Sequence, residues 1–258
     1  MFKKILRISF ALSCLSLGAI PETFASHKCK SGYVERAGVA LVKRYANSNP
    51  GLEYAVLVGI DAHKTHPLNN AIPYVNFFGG KCDPTDKYST DAAVRELFEE
   101  TSGAVKMKAS NLNYKNPGYL GYVYTGDFKP HGSDTIGKNY TQLFFVRDDA
   151  VSVAAITKIQ AAAQKNKKLP HHMREAKATC AIPLQDMLNA ARKIHALEAK
   201  GDYKGAKSKA LYTFNTRGDG KGGGRTTVYL DSQYLRNVAR DLKTFEVICF
   251  KVSNGAVK

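Results

Sequence analysis

Residues 79–103 read GGKCDPTDKYSTDAAVRELFEETSG, and no other stretch constrains the fold as much. Two glycines open a polar loop, and a helix-forming segment follows. Ser89 or Thr90 supplies an N-cap and Gly103 a stop, so the spacing predicts a helix from about Thr90 to Ser102. At roughly 100° per residue, Ala93, Val94, Leu97 and Phe98 share one side of it. Glu96, Glu99 and Glu100 share the opposite side, and Arg95 stands at its edge. One side must pack on a core while the other gathers carboxylates. Each like-charge pair costs an isolated helix a few tenths of a kcal/mol. Basic residues for that face are plentiful, since 38 Lys and Arg stand against 22 Asp and Glu, a net charge of +16. A hard divalent cation, Mg²⁺ or Mn²⁺, would offset the repulsion, because such ions take oxygen ligands and work beside substrate phosphates. The competing reading is a solvated face whose glutamates pair with Arg95 and lysines.

The rest of the chain sets the frame. Its 258 residues, 44% of them hydrophobic, suit one large domain or one domain with appendages. MFKKILR gives a positive start, ISFALSCLSLGAI an apolar run, and PETFAS small residues around a cut after Ala25. Residues 1–25 thus read as a secretory signal peptide, too short in its apolar run to span a membrane stably. The expected location is periplasmic or extracellular, with no stable membrane insertion after cleavage. The basic balance favours anionic partners: nucleotides, phosphorylated small molecules, RNA or an anionic membrane. Cys29, Cys82, Cys180 and Cys249 remain after the signal, and an exported chain is expected to form one or two disulfides among them. Their pairing is open. No Cys/His spacing suggests zinc, and the adjacent His171 and His172 read as surface residues.

Along the chain, AGVALVKRY (37–45) and EYAVLVGID (53–61) read as strands, AHKTHPLNNA as a polar loop, and YVNFFGGK (74–81) as a strand entering the glycine turn. Residues 118–126 and 140–148 read as strands, 151–168 as a helix, and 175–195 as strand, Pro-marked turn and helix. A Gly-rich basic loop, RGDGKGGGR (217–225), lies between two β-like runs. SQYLRNVARDLKTF reads as an amphipathic helix and EVICFKV as a last strand. This mixture predicts an α+β fold built on a mixed sheet.

The segment 80–103 resembles the box of the Nudix hydrolase family, G-x5-E-x7-R-E-U-x-E-E-x-G-U, where U is a bulky apolar residue. Gly80 opens the pattern, and Arg95-Glu96-Leu97-Phe98-Glu99-Glu100 matches R-E-U-x-E-E in full. Asp86 stands where the family has Glu, eight residues rather than seven separate it from Arg95, and Ser102 stands where the box has Gly. The layout over residues 35–195 is similar to that of the family as well. The resemblance implies an α/β/α sandwich with a mixed sheet over residues 33–200 and a C-terminal extension, 201–258, packed on it. It implies that Glu96, Glu99 and Glu100 bind Mg²⁺ or Mn²⁺, that the loop acid Asp86 helps hold Arg95, and that Arg95 orients the helix glutamates. One of those glutamates, or a later acid such as Glu175, would act as general base. Gly79 and Gly80 would let the backbone approach the site. The implied reaction is hydrolysis of a pyrophosphate bond in a nucleoside diphosphate linked to another moiety. The alternative is a catalytically weak module of the same fold that binds phosphorylated ligands or RNA.

Other features say less. The 217–225 loop lacks the G-K-[ST] ending of a P-loop and reads as a surface loop or a phosphate-closing loop. Tyr74, Phe77 and Phe78 stand near the box, either to stack on a base or to pack in the core.

Overall fold

Val39, Leu41, Ala55 and Leu57 point to one side of the sheet, and Ala40, Val42, Val56 and Val58 to the other. All eight are fully buried, which is why the first two strands read as near-continuous apolar runs rather than alternating ones. The computed structural model describes residues 27–29, 34–45, 53–128, 137–217, 226–230 and 232–253. The expected signal peptide and residues 218–225 of the Gly-rich loop lie outside them.

The strands are β1 (Arg36–Arg44), β2 (Tyr54–His66), β3 (Asn69–Asn76), β4 (Phe78–Lys81), β5 (Tyr119–Phe128), β6 (Gly137–Arg147), β7 (Ala176–Pro183), β8 (Thr213–Asn215) and β9 (Thr227–Leu230). They form one branched, nine-stranded mixed sheet, with the main path β5-β6-β1-β2-β3-β9-β8. β1 runs parallel to β6 and antiparallel to β2 and β4, and β7 pairs antiparallel with β2. The helices are α1 (Ser89–Glu100), α2 (Val153–Lys165), α3 (Leu184–Ala199), the single turn α4 (Tyr203–Ala206), α5 (Ser232–Arg240) and α6 (Leu242–Ser253). Ala92, Ala93 and Leu97 of α1 and Ile156 of α2 fill the core on one side. Met187 and Ile194 of α3, Leu235 of α5 and Phe245 of α6 fill the larger core on the other. The fold is therefore α+β, a mixed sheet between two helical layers, and it is compatible with a Nudix-like sandwich.

The sheet branches where the site is built. β1 has β4 as its neighbour from Arg36–Lys81 to Val39–Phe78, then leaves it and pairs with β2 from Leu41 onward. A Cβ on Gly38 would stand 2.7 Å from the Phe78 carbonyl oxygen, so glycine permits that close pairing. β4 then runs straight into the loop before α1.

Two expectations are corrected, and one open alternative is settled. AHKTHPLNNA is not a loop: β2 continues to His66 and β3 starts at Asn69, with a turn at Pro67 and Leu68. Its polar residues, buried His66 apart, are the exposed ends of two strands. EVICFKV is not a strand but lies within α6, where buried Phe245, Ile248, Cys249 and Val252 recur at helical spacing. Phe77 and Phe78 are fully buried core residues, which leaves neither ring open to a base.

Candidate metal centre

α1 is anchored before it is functional. Its N-cap is Tyr88, not Ser89 or Thr90, and the Asp91 carboxylate accepts the Tyr88 N–H at 3.0 Å. Ser89 is buried and donates to Gln142 Oε1 at 2.6 Å, which ties the helix start to β6. Burial of Leu97 contributes about 2 kcal/mol toward holding the helix on the sheet. Phe98, expected on the apolar side, is 38% exposed and lies over Gly103 instead. At the C-terminal end Ser102 adopts φ +54° and Gly103 φ +81°. The left-handed backbone costs a serine about 1 kcal/mol. A bond from Ser102 Oγ to the Met173 carbonyl at 2.8 Å offsets it and fastens the helix end to the 3₁₀ turn His171–Arg174.

Arg95 is the hub of the acidic side. Its Nη1 donates to Glu96 Oε1 at 2.9 Å and to Glu99 Oε2 at 3.1 Å. Its Nη2 donates to Asp86 Oδ2 at 2.9 Å and to the Lys81 carbonyl at 2.8 Å. Asp83 stands 3.7 Å from Nε. Asp86 is buried and also accepts the Asp83 N–H at 2.8 Å. The eight-residue spacing between Asp86 and Arg95 thus brings a shorter acid within reach of the guanidinium. Burial opposes the Arg95 charge, but the bond to Asp86 and the fields of Glu96 and Asp86 outweigh it, and its pKa rises.

The glycines place the glutamates. Gly79 N–H donates to Glu100 Oε2 at 3.0 Å. A Cβ on Gly80 would land on the Glu96 carboxylate, so that carboxylate occupies the space the missing side chain leaves. Burial raises the Glu96 carboxyl to about 7; Arg95 pulls it down, and Glu99 and Glu175 push it up. Glu100 is raised too, by burial first and then by the field of Glu96, against the Gly79 hydrogen bond. Both shifts come first from burial, and the neighbouring carboxylates add to it.

Around this array stand Glu175, the later acid expected at the site, and residues that the sequence did not connect with it. Glu175 follows the 3₁₀ turn, is exposed, and lies in the same field as Glu96 and Glu100. His171 and His172 are exposed, as expected, yet His171 Nδ1 is 3.5 Å from Glu175 Oε1 and His172 Nε2 is 4.0 Å from Glu99 Oε1. Asp61 of β2 adds to the field on Glu100. Among the described residues, no group of three or more His, Cys, Asp and Glu side chains is gathered as a ready-made cation site. Arg95 Nη1 holds one oxygen each of Glu96 and Glu99. The donors are all carboxylate oxygens and the charge is under-balanced, so the residues fit a hard divalent cation.

One disulfide, Cys29–Cys82, closes on the loop that carries Asp86, and Cys180 and Cys249 are free thiols.

No family model matches the chain, and no curated protein matches it. Among solved structures it is similar to a Nudix hydrolase from Alicyclobacillus acidocaldarius, at 15% identity and a TM-score of 0.32, over 64% of this chain and 85% of that one. It is also similar to the MERS1 protein of T. brucei in its apo form, at 14% identity and a TM-score of 0.26, over 57% of this chain and 56% of that one. The complex of MERS1 with RNA is matched at 16% identity and a TM-score of 0.27, over 57% of this chain and 50% of that one. At these scores the likenesses carry no argument, and the fold stands on the chain's own topology.

Proposed function

We propose that this chain is a divalent-metal-dependent pyrophosphohydrolase of the Nudix type, acting on a nucleoside diphosphate linked to another moiety. The observation that supports it best is the set of acids gathered on one guanidinium: Asp86, Glu96 and Glu99 all bond Arg95, while Glu100 is held by Gly79 N–H. Glu96, Glu99 and Glu100 would hold Mg²⁺ or Mn²⁺, which supplies charge neutralisation at the phosphates and an activated water. Arg95 keeps Glu96 and Glu99 at a fixed separation and is a positioning residue. Gly79 fixes the rotamer of Glu100, and Gly80 leaves room for the Glu96 carboxylate. Glu175, exposed on the same side, is the proposed acceptor of the water proton. In-line displacement at phosphorus asks for placement and charge stabilisation rather than a covalent intermediate.

The Cys29–Cys82 bond supports an exported location, since disulfides persist in oxidising compartments. Among the described residues no helix is long and apolar enough to cross a membrane. The second reading, a module that binds phosphorylated ligands or RNA without cutting them, is favoured by one feature. Arg95 already bonds Glu96 and Glu99, as it would if it served in place of a metal.

A hydrolysis screen decides between them. Residues 26–258 and a Glu99→Gln/Glu100→Gln variant are assayed with Mg²⁺ or Mn²⁺ on dinucleoside polyphosphates, ADP-ribose, NAD, sugar nucleotides, nucleoside triphosphates and capped RNA. The proposal expects metal-dependent turnover that the variant loses. Binding of any of these without turnover, equal in wild type and variant, would sink it in favour of the binding module.

A further inference from the structure

The loop that holds Arg95 is gripped at both ends by a short N-terminal arm. At one end Cys82 is bonded to Cys29, 53 residues away in sequence, and Cys82 directly follows Lys81, whose carbonyl accepts Arg95 Nη2 at 2.8 Å. At the other end Cys29 N–H donates to the Lys87 carbonyl at 3.1 Å. Ser89 N–H donates to the His27 carbonyl at 2.8 Å, and His27 N–H returns a bond to Ser89 Oγ at 3.1 Å. The His27 ring stacks on Tyr124 at 4.8 Å. Between these two grips, residues 83–88 are exposed except for Asp86. The chain from Asp83 to Tyr88 therefore has little core burial of its own. Its internal ties are the Asp83 N–H bond to Asp86 and the Asp86 N–H bond to the Asp83 carbonyl, at 2.8 and 2.9 Å.

We propose that the Cys29–Cys82 disulfide is a redox-sensitive positioning staple: it fixes the arm against the 82–89 loop and so fixes the seat of Arg95, and its reduction loosens the acidic site without unfolding the domain. The inference rests on the metal-centre reading above. Both cysteines are only partly buried, so a small dithiol reaches them. A thiolate of the dithiol attacks one sulfur, forms a mixed disulfide and breaks the Cys29–Cys82 bond. Its second thiol then displaces the protein, so that two electrons and two protons pass to Cys29 and Cys82 and the dithiol leaves as a cyclic disulfide. No backbone bond in the hydrophobic layers is involved, and α1 keeps its anchors at Ala92, Ala93 and Leu97.

The test uses the chain in three states: oxidised, fully reduced by a dithiol with reduction of Cys29 and Cys82 verified by alkylation, and reoxidised. A Cys29→Ser/Cys82→Ser variant serves as a fourth. Amide hydrogen exchange and Mn²⁺ binding are read in each. Exchange across residues 83–89 should rise roughly tenfold or more on reduction while β7 and α3 stay protected. Mn²⁺ affinity should fall roughly tenfold, as for loss of a supporting contact, and recover on reoxidation. Unchanged exchange and affinity in verified reduced protein would refute the staple. Loss of protection through β7 and α3 would refute it as well, because the bond would then hold the whole fold. If the oxidised protein binds no Mn²⁺, the metal reading fails on its own, and local exchange still decides whether the disulfide governs the loop.

Discussion

Two charged clusters flank the sheet, and they are balanced in opposite ways. On the α3 side one carboxylate, Glu198, meets two arginines: Arg236 Nη2 at 2.7 Å and Arg240 Nε at 3.6 Å. On the α1 side one arginine, Arg95, meets four carboxylates, those of Asp83, Asp86, Glu96 and Glu99. Both clusters are largely withdrawn from water, with Glu198 and Glu96 side chains each 14% exposed. Among the described residues the first sets two arginines around one carboxylate and joins α3 to α5, as a structural tie would. The second carries excess negative charge in a place where burial makes each uncompensated carboxylate expensive. A chain rich in lysine had ready means to neutralise that face. The difference separates a cluster that holds the fold from one arranged for something brought from outside.

Substitution on the two sides should therefore break different properties. Glu99→Gln/Glu100→Gln should lower metal-dependent turnover by roughly a hundredfold or more, with a melting temperature near that of the wild type. Glu198→Ala should do the reverse. It leaves Arg236 and Arg240 facing each other and should destabilise the fold by about 2 kcal/mol in urea titration, with turnover per folded molecule kept. If both variants lost stability alike and neither lost turnover selectively, the contrast between the clusters would be gone.

The pH dependence sharpens the contrast. Burial lifts the Glu96 carboxyl from its ordinary 4.5 to about 7, so the folded metal-free protein holds a proton that the unfolded chain has released. Its contribution to stability is fully present below pH 4.5 and is lost as pH rises toward 7. Glu100 shifts in the same direction. Between those limits the metal-free wild type should lose on the order of 2 kcal/mol relative to Glu96→Gln, measured by urea titration at each pH. Equal slopes in the two proteins would mean that Glu96 is already neutralised. A smaller effect is expected one residue shell away. Asp86→Asn removes the charged anchor of Arg95 and should weaken Mn²⁺ binding roughly tenfold, read by calorimetry, with little change in the fold.

Much of the α1 side was legible in the sequence, because its chemistry lies within one helix and one loop. Arg95, Glu96, Glu99 and Glu100 share a face by helical spacing alone, and the glycines before them mark a close approach. The loop was harder to read. Asp86 is shorter than glutamate and one residue further from Arg95, and only the folded loop shows that the two changes are compatible. Asp61 and His172 come from β2 and from the turn before β7, so nothing local in sequence tied them to α1, and Glu175 was named only as a later acid that the resemblance called for. The end of the chain was misread for a different reason. Val247, Ile248 and Val252 favour a strand by their branching, yet the spacing of Phe245, Ile248, Cys249 and Val252 satisfies a helix packed on α3 and β5. Tertiary burial overrode local preference there. The polar ends of β2 and β3 hid a hairpin for another reason, because their exposed residues lack the apolar pattern of a strand.

The most direct test of the central claim is a Mn²⁺ binding isotherm on the oxidised protein at neutral pH, beside Glu99→Gln/Glu100→Gln and Glu198→Gln. The account predicts saturable binding by the wild type and by Glu198→Gln, and at least a tenfold loss in the double variant. Binding that is absent in the wild type, or equal in all three, would contradict a cation site on the acidic side of α1.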